Sequence, residues 1–149
     1  MYLEDKERCP MVKIVSFILC DQVMNIPNNA GPVSQLIAPQ IALRPPFIPT
    51  AISFGLAVGV SGVDLQKPQR IKYTMTDTED NVIHDSGETE FDAFPIADPM
   101  PKEYQGFTLT ADFRNIEIKA EGVYRFNLYI NDELVGVRDI PVYKRAELE

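Results

Sequence analysis

The sequence predicts an all-β chain, an antiparallel β-sandwich of about eight strands, and three observations carry that expectation. Apolar residues recur with period two, most clearly at 51–60. There Ile52, Phe54, Leu56, Val58 and Val60 fall on one side and Ala51, Ser53, Gly55, Ala57 and Gly59 on the other. The 12 Pro and 8 Gly punctuate the chain so regularly that a long helix has little room. Loops rich in Asn, Asp and Glu join successive alternating stretches with no helical segment between them, which favours hairpins over the crossovers of a parallel sheet.

Taken in order, residues 13–20 (KIVSFILC) are apolar on both parities and read as a central strand buried on both faces. Residues 21–32 contain the turn formers Asn28, Asn29 and Gly31 and read as irregular. Residues 33–43 alternate less strictly and carry Pro39, which suits an edge strand. After the strand at 51–60, residues 70–77 point Ile71, Tyr73 and Met75 inward, and a Glu79-Asp80-Asn81 loop returns the chain through Val82 and Ile83. The segment 91–106, with Pro95, Pro99 and Pro101, reads as a long crossover between sheets with one helical turn near 101–104. Phe107, Leu109, Ala111 and Phe113 then alternate with polar residues, and Ile116 and Ile118 begin a separate short strand. Phe113, Ile116 and Ala120 also have helical spacing, but the Ile116/Ile118 alternation and Gly122 favour a strand. Finally, Tyr124, Phe126, Leu128 and Ile130 face one way, and Asn131-Asp132-Glu133 turns the chain into a last strand at 134–143.

With 149 residues, 45% hydrophobic and 24% charged, the chain has the size of a single domain over 1–149. A domain of that size buries roughly 68–70% of its unfolded surface and needs no disulfide or metal staple. Residues 1–11 read as an N-terminal extension. Residues 148–149 carry no biological weight, because they suit a tag remnant. Fourteen Lys plus Arg against 22 Asp plus Glu give a net charge of −8, which repels phosphate backbones and argues against nucleic acid as a partner. The opening MYLEDKER lacks a secretory pattern, and the weakly polar stretch 51–60 is far short of the roughly 18–20 apolar residues of a membrane helix. The expectation is a cytoplasmic protein without a membrane span, with Cys9 and Cys20 reduced.

The residue types that most chemistry uses are scarce: one His, two Cys and no Trp. His84 has the parity of Val82 and Ser86 and reads as an exposed strand residue opposite Thr76, with no nucleophile assigned to it. Cys20-Asp21 ends a strand, and a neighbouring carboxylate disfavours the thiolate, so Cys20 reads as a buried structural residue. Cys9, Cys20 and His84 lack zinc-ligand spacing. Gly55, Gly59 and Gly62 lack the Lys-Ser/Thr and following helix of a phosphate loop. The acidic stretch Asp77, Glu79, Asp80, Asp85, Glu88, Glu90, Asp92 is the one charge cluster able to hold something. Asp77, Glu79, Asp80 and Asp85 are its calcium candidates, since Ca²⁺ wants about 6–8 oxygens from loop ligands, and a carboxylate pair for glycoside hydrolysis is the remaining catalytic option. A solvated hairpin tip explains the same residues by turn preference.

Phe17-Ile18-Leu19-Cys20-Asp21 at the start, and the closing run from Gly122 to Ile130 with Leu134 and a Pro141-Val142 strand, resemble an uncharacterised bacterial family of β-sandwiches. Its members open with a hydrophobic strand ending in Cys-Asp. The resemblance implies a fold, immunoglobulin-like or C2-like, and no catalytic or binding residue. The functional expectation is therefore a non-catalytic binding or interaction module without a cofactor, meeting a protein partner or itself. A calcium-dependent C2-like module and a small hydrolase using loop carboxylates are the alternatives. The surface expected to be covered is Ala51, Ser53, Gly55, Ala57 and Gly59, which carries no charge and almost no side-chain bulk. Its cover would be the 91–106 crossover or a second subunit.

Overall fold

A computed structural model describes residues 12–29, 33–93 and 99–146, so Cys9 with the whole N-terminal extension 1–11, the closing residues 147–149, residues 30–32 and part of the expected crossover (94–98) lie outside the described residues. Two antiparallel sheets pack face to face. The first has the order β2 (Val33–Gln40), β1 (Lys13–Ile26), β3 (Thr50–Ser61), β7 (Gly106–Ile118). The second has the order β5 (Val82–Asp85), β4 (Gln69–Thr76), β8 (Gly122–Ile130), β9 (Glu133–Val142), with β6 (Thr89–Phe91) pairing the other half of the same β4 edge as β5. A single turn of 3-10 helix at Lys102–Tyr104 precedes β7, where the prolines predict a helical turn.

The period-two reading holds where it is strongest. Phe54, Leu56, Val58 and Val60 of β3 and Tyr124, Phe126, Leu128 and Ile130 of β8 lie in one core at 0–4% exposure. The β8–β9 hairpin closes through Asn131 and Asp132, both with positive φ (51° and 69°), as a two-residue turn matched to strand twist demands. Asn131 also ties that turn to β4: its Oδ1 accepts from the Arg70 N–H at 2.9 Å, and its Nδ2 donates to Gln69 Oε1 at 2.6 Å. Gly106 must be glycine, because a Cβ there would run into the Val60 carbonyl oxygen across the β3–β7 pair.

The connectivity is that of an immunoglobulin-like sandwich. The pairs β1–β3 and β3–β7 match strands A, B and E, while β4, β8 and β9 match C, F and G, with β5 and β6 on the outer edge of C. β2 is an addition at the free edge of β1. Near the start of β8, the Tyr124 hydroxyl donates to the Ala120 carbonyl at 2.8 Å, the tyrosine corner of such sandwiches. Antibody domains pin their sheets with a Trp and a disulfide; this chain uses rings. Phe17 contacts Phe126 at 5.5 Å, Phe126 contacts Tyr73 at 5.6 Å, Tyr73 contacts Phe113 at 5.7 Å, and Phe113 stacks on Phe54 at 4.8 Å.

Four expectations are corrected. β1 is not buried on both faces, since Val15 and Ile18 are exposed, and it runs on to Ile26 through residues that read as irregular. β7 is one strand from Gly106 to Ile118. A bulge between Phe113 and Ile116, with Asn115 at φ 54°, lets two buried residues three apart share a face and imitates helical spacing. Phe91, expected to open the 91–106 crossover, instead ends strand β6, which pairs residues 89–91 with β4. His84 pairs with Met75 rather than Thr76, because a register shift between Met75 and Thr76 turns it to the core side.

Truncating a core position tests the strand phase. Leu128→Ala should cost about 2–5 kcal/mol in urea-unfolding measurements, and a loss under about 0.5 kcal/mol would be the signature of a surface site.

Candidate functional site

The sequence-derived candidates scatter. Asp77 opens the β4–β5 turn, and its carboxylate faces inward on that turn: Oδ1 accepts the N–H groups of Glu79 and Asn81, each at 2.9 Å. Those bonds, the Asn81 N–H foremost, hold the Asp77 carboxyl below the usual range, aided by the Asn81 side chain and the charge of Lys119 and opposed by partial desolvation. Asp80 pairs with Arg125 at 3.3 Å, and Asp85 Oδ1 accepts the Gly87 N–H at 2.9 Å. Asp77, Asp80 and Asp85 are thus each engaged with a different partner. Among the described residues, no three His, Cys, Asp or Glu side chains converge as a metal site. A cleft of about 270 Å³ brings Asp77 together with Glu117, Lys119 and the wall residues Ile83 and Tyr124, and it leaves Glu79, Asp80 and Asp85 outside its lining.

His84 is half-buried among rings, 4.8 Å from Phe113 edge-on and 6.1 Å from Tyr73. Burial, assisted by the charge of Asp112, also raises the Tyr73 phenol above its ordinary value. This is packing chemistry: no serine, cysteine or carboxylate contact to the imidazole accompanies it among the described contacts. Cys20 is fully buried and free. Burial pushes its thiol up, the carboxylates of Asp112 and Asp21 add to the rise, and the Gln22 backbone opposes it. That environment suppresses the thiolate, the reactive form.

The small-residue face of β3 is occupied from within the chain. A Cβ on Gly55 would lie 2.9 Å from Val23 Cγ2 and 3.2 Å from Cys20 Sγ, and one on Gly59 would meet Ser16 Oγ. β1 therefore crowds the face at both glycines. Ala57, between them, is 9% exposed, while Ala51 and Ser53 are open.

An apolar pocket of about 250 Å³ opens between the sheets, walled by Leu65, Ile71, Phe91, Phe107 and Leu109 with Lys67 at its rim. Its polar lining is Lys67, Gln69, Asp92 and Thr108, with no histidine or cysteine among them. The feature that residue-by-residue reading missed lies elsewhere: from Gln22 to Val63 the only charged residue is Arg44, in a chain of net charge −8. Half of that stretch forms the β1–β2 hairpin. Its register sets Met24 against Gln35 and Ile26 against Val33, and Met24, Ile26 and Val33 are 44%, 41% and 47% exposed. The signal is present in the sequence as a gap in charge, but periodicity hides it, because exposed and buried apolar residues alternate alike.

Fold and surface together define an immunoglobulin-like β-sandwich with an uncharged apolar hairpin at one edge and no assembled catalytic set among the described residues. Residues 15–143 match the family of unknown function DUF6941, and the chain belongs to that family. No curated protein matches it. Among solved structures, an immunoglobulin-like protein from Pseudomonas aeruginosa is similar, with 17% identity over 88% of this chain and 95% of that one and a TM-score of 0.38.

Two outcomes follow from these surroundings. In a Cys9→Ser background, Cys20 should react with a thiol reagent only as fast as the protein unfolds; labelling of the native state at the rate of a free thiol would contradict its burial. Asp77, with a depressed folded pKa, contributes stability that is present above the ordinary aspartate range near 3.9 and is lost as the pH falls through the lower folded value. Asp77→Asn should remove that part of the acid dependence in melting curves taken from neutral to acid pH.

Proposed function

We propose that this chain is a non-catalytic interaction module that meets a protein partner, or a second copy of itself, in the cytoplasm. The contact surface is the uncharged β1–β2 hairpin together with Ala51 and Ser53, the open end of a small-residue face whose Gly55, Ala57 and Gly59 are buried against β1. The observation that carries this reading is the exposure of Met24, Ile26 and Val33 on a hairpin with no charged residue beyond Asp21. A surface of that kind is costly in water unless something covers it. The alternatives have less support. A hydrolase needs a base beside a nucleophile or a poised carboxylate pair, whereas His84 is packed among rings and the Asp77 carboxylate is engaged by its own turn. A calcium module needs converging oxygens, whereas Asp80 and Asp85 are engaged with Arg125 and Gly87.

The test sets the three readings against one another. The purified chain should show no turnover above buffer on broad hydrolase and phosphatase substrate panels, and millimolar Ca²⁺ should leave its melting midpoint unchanged. A turnover abolished by Asp21→Asn or His84→Ala in a folded variant would overturn the module reading. A calcium-dependent rise in the midpoint, which linkage requires of any ligand bound by the folded state alone, would replace it with the calcium module.

A further inference from the structure

The apolar pocket between the sheets lies away from the β1–β2 hairpin. Its walls come from β4 (Ile71), β6 (Phe91), β7 (Phe107 and Leu109) and the segment leading into β4 (Leu65). In the order β2-β1-β3-β7 the strand β7 is the end farthest from β2, so the pocket is separate from the contact surface proposed above. Its lining grades from Phe91, 48% exposed, to Ile71, 5% exposed.

The interior calls for hydrocarbon. Of the polar lining only Gln69 is buried, and its amide is already used: Nε2 donates to the Asp64 carbonyl at 2.7 Å, and Oε1 accepts from Asn131 Nδ2 at 2.6 Å. A guest here gains by burying apolar surface, and any polar group it carried inward would go unpaired. Water is poorly held for the same reason, since apolar walls offer it too few partners. The volume of about 250 Å³ lies just below the roughly 300–1,000 Å³ of drug-sized sites, so the guest is small. At roughly 30 Å³ apiece, the share of one water in the liquid, it has about eight heavy atoms inside.

Charge at the mouth selects the other end of the guest. Lys67 and Asp92 are the charged residues of the lining. Lys67 Nζ is 3.9 Å from Asp64 Oδ2, a pair within one turn of the chain that leaves no net charge. Asp92 is exposed and has no ion pair or hydrogen bond among the described residues. It ends the run Glu88-Thr89-Glu90-Phe91-Asp92, which carries no base. Arg70 beside that run is shared between Glu88 at 3.5 Å and Asp132 at 3.0 Å. The net charge of −8 draws cations toward such a mouth and repels anions from it. We propose that the pocket binds a small organic cation, with a hydrocarbon body of about eight carbons seated against Ile71, Phe91 and Leu109 and a protonated amine at the Asp92 carboxylate. Apolar walls with one charged group that fixes orientation are the common build of a small-molecule site.

Two guests that share a hydrocarbon body and differ in the sign of the head group test this. Titrated into the isotope-labelled full chain at neutral pH, n-octylammonium should bind saturably, with amide shifts centred on residues 65–71, 91–92 and 107–109. n-Octanoate should bind at least about tenfold more weakly, because its head group meets the unpaired carboxylate. Asp92→Asn, at an exposed position, should keep the parent melting midpoint and bring the two guests within about threefold of each other. Phe91→Ala, which removes a wall, should weaken both guests alike and leave the preference for the cation intact. The proposal is overturned by an absence of saturable shifts, by shifts centred on another surface, or by octanoate binding as tightly as octylammonium. A preference that survives Asp92→Asn, or affinity that a folded Phe91→Ala leaves unchanged, overturns it equally. Each of those results leaves the interaction-module reading standing, since that reading rests on a different surface.

Discussion

The structure hangs on a run of rings that crosses between its sheets. Phe17 and Phe113 from the first sheet interleave with Phe126 and Tyr73 from the second, Phe54 stacks behind Phe113, and His84 closes the end. Each such pair adds about 0.5–1.5 kcal/mol beyond the area it buries. The geometry fixes more than the energy does: edge-on and offset contacts at 4.8–5.7 Å hold β1, β3 and β7 in one lateral position against β4 and β8. An inter-sheet disulfide would serve the same purpose, but the one described cysteine, Cys20, sits on β1 beside Gly55 and not between the sheets.

That lateral position explains the hairpin. β1 pairs with β3 over its first half, up to Cys20 opposite Gly55, and over its second half it pairs with β2 alone. The crossing requires small residues, and Gly55 and Gly59 supply them, with Val23 and Ser16 of β1 against the positions a Cβ would fill. The small-residue parity of β3 therefore has a packing cause inside the chain. Among the described strands β2 pairs β1 alone, and Met24, Ile26 and Val33 stand exposed on that outlying hairpin.

Membership in a family of unknown function supplies no chemistry, and an immunoglobulin-like sandwich hosts many unrelated tasks. The functional argument has to come from particular side chains. The acidic loop residues hold their own turns, Cys20 and His84 are packed, and the charge-free hairpin is left as the surface whose composition differs from the rest of the molecule.

By itself the sequence determined the all-β class, the inward faces of β3, β4 and β8, and the presence of a turn at Asn131-Asp132-Glu133, which the structure tightens to two residues by pairing Glu133 with Ile130. Each of these is local, because side chains alternate at every residue and a turn states its own backbone requirement. Tertiary structure decided whatever depends on a partner strand. The bulge at Asn115 joins two apparent strands into β7, a register shift after Met75 turns His84 from solvent to the ring cluster, and the pairing of β1 first with β3 and then with β2 exposes apolar residues that look the same as buried ones in the sequence. A shift of one residue in pairing moves a side chain to the opposite face without changing a single letter of its own segment. Strand parity can therefore be read from the chain alone, while burial, register and the exposed hairpin exist only once the strands have met.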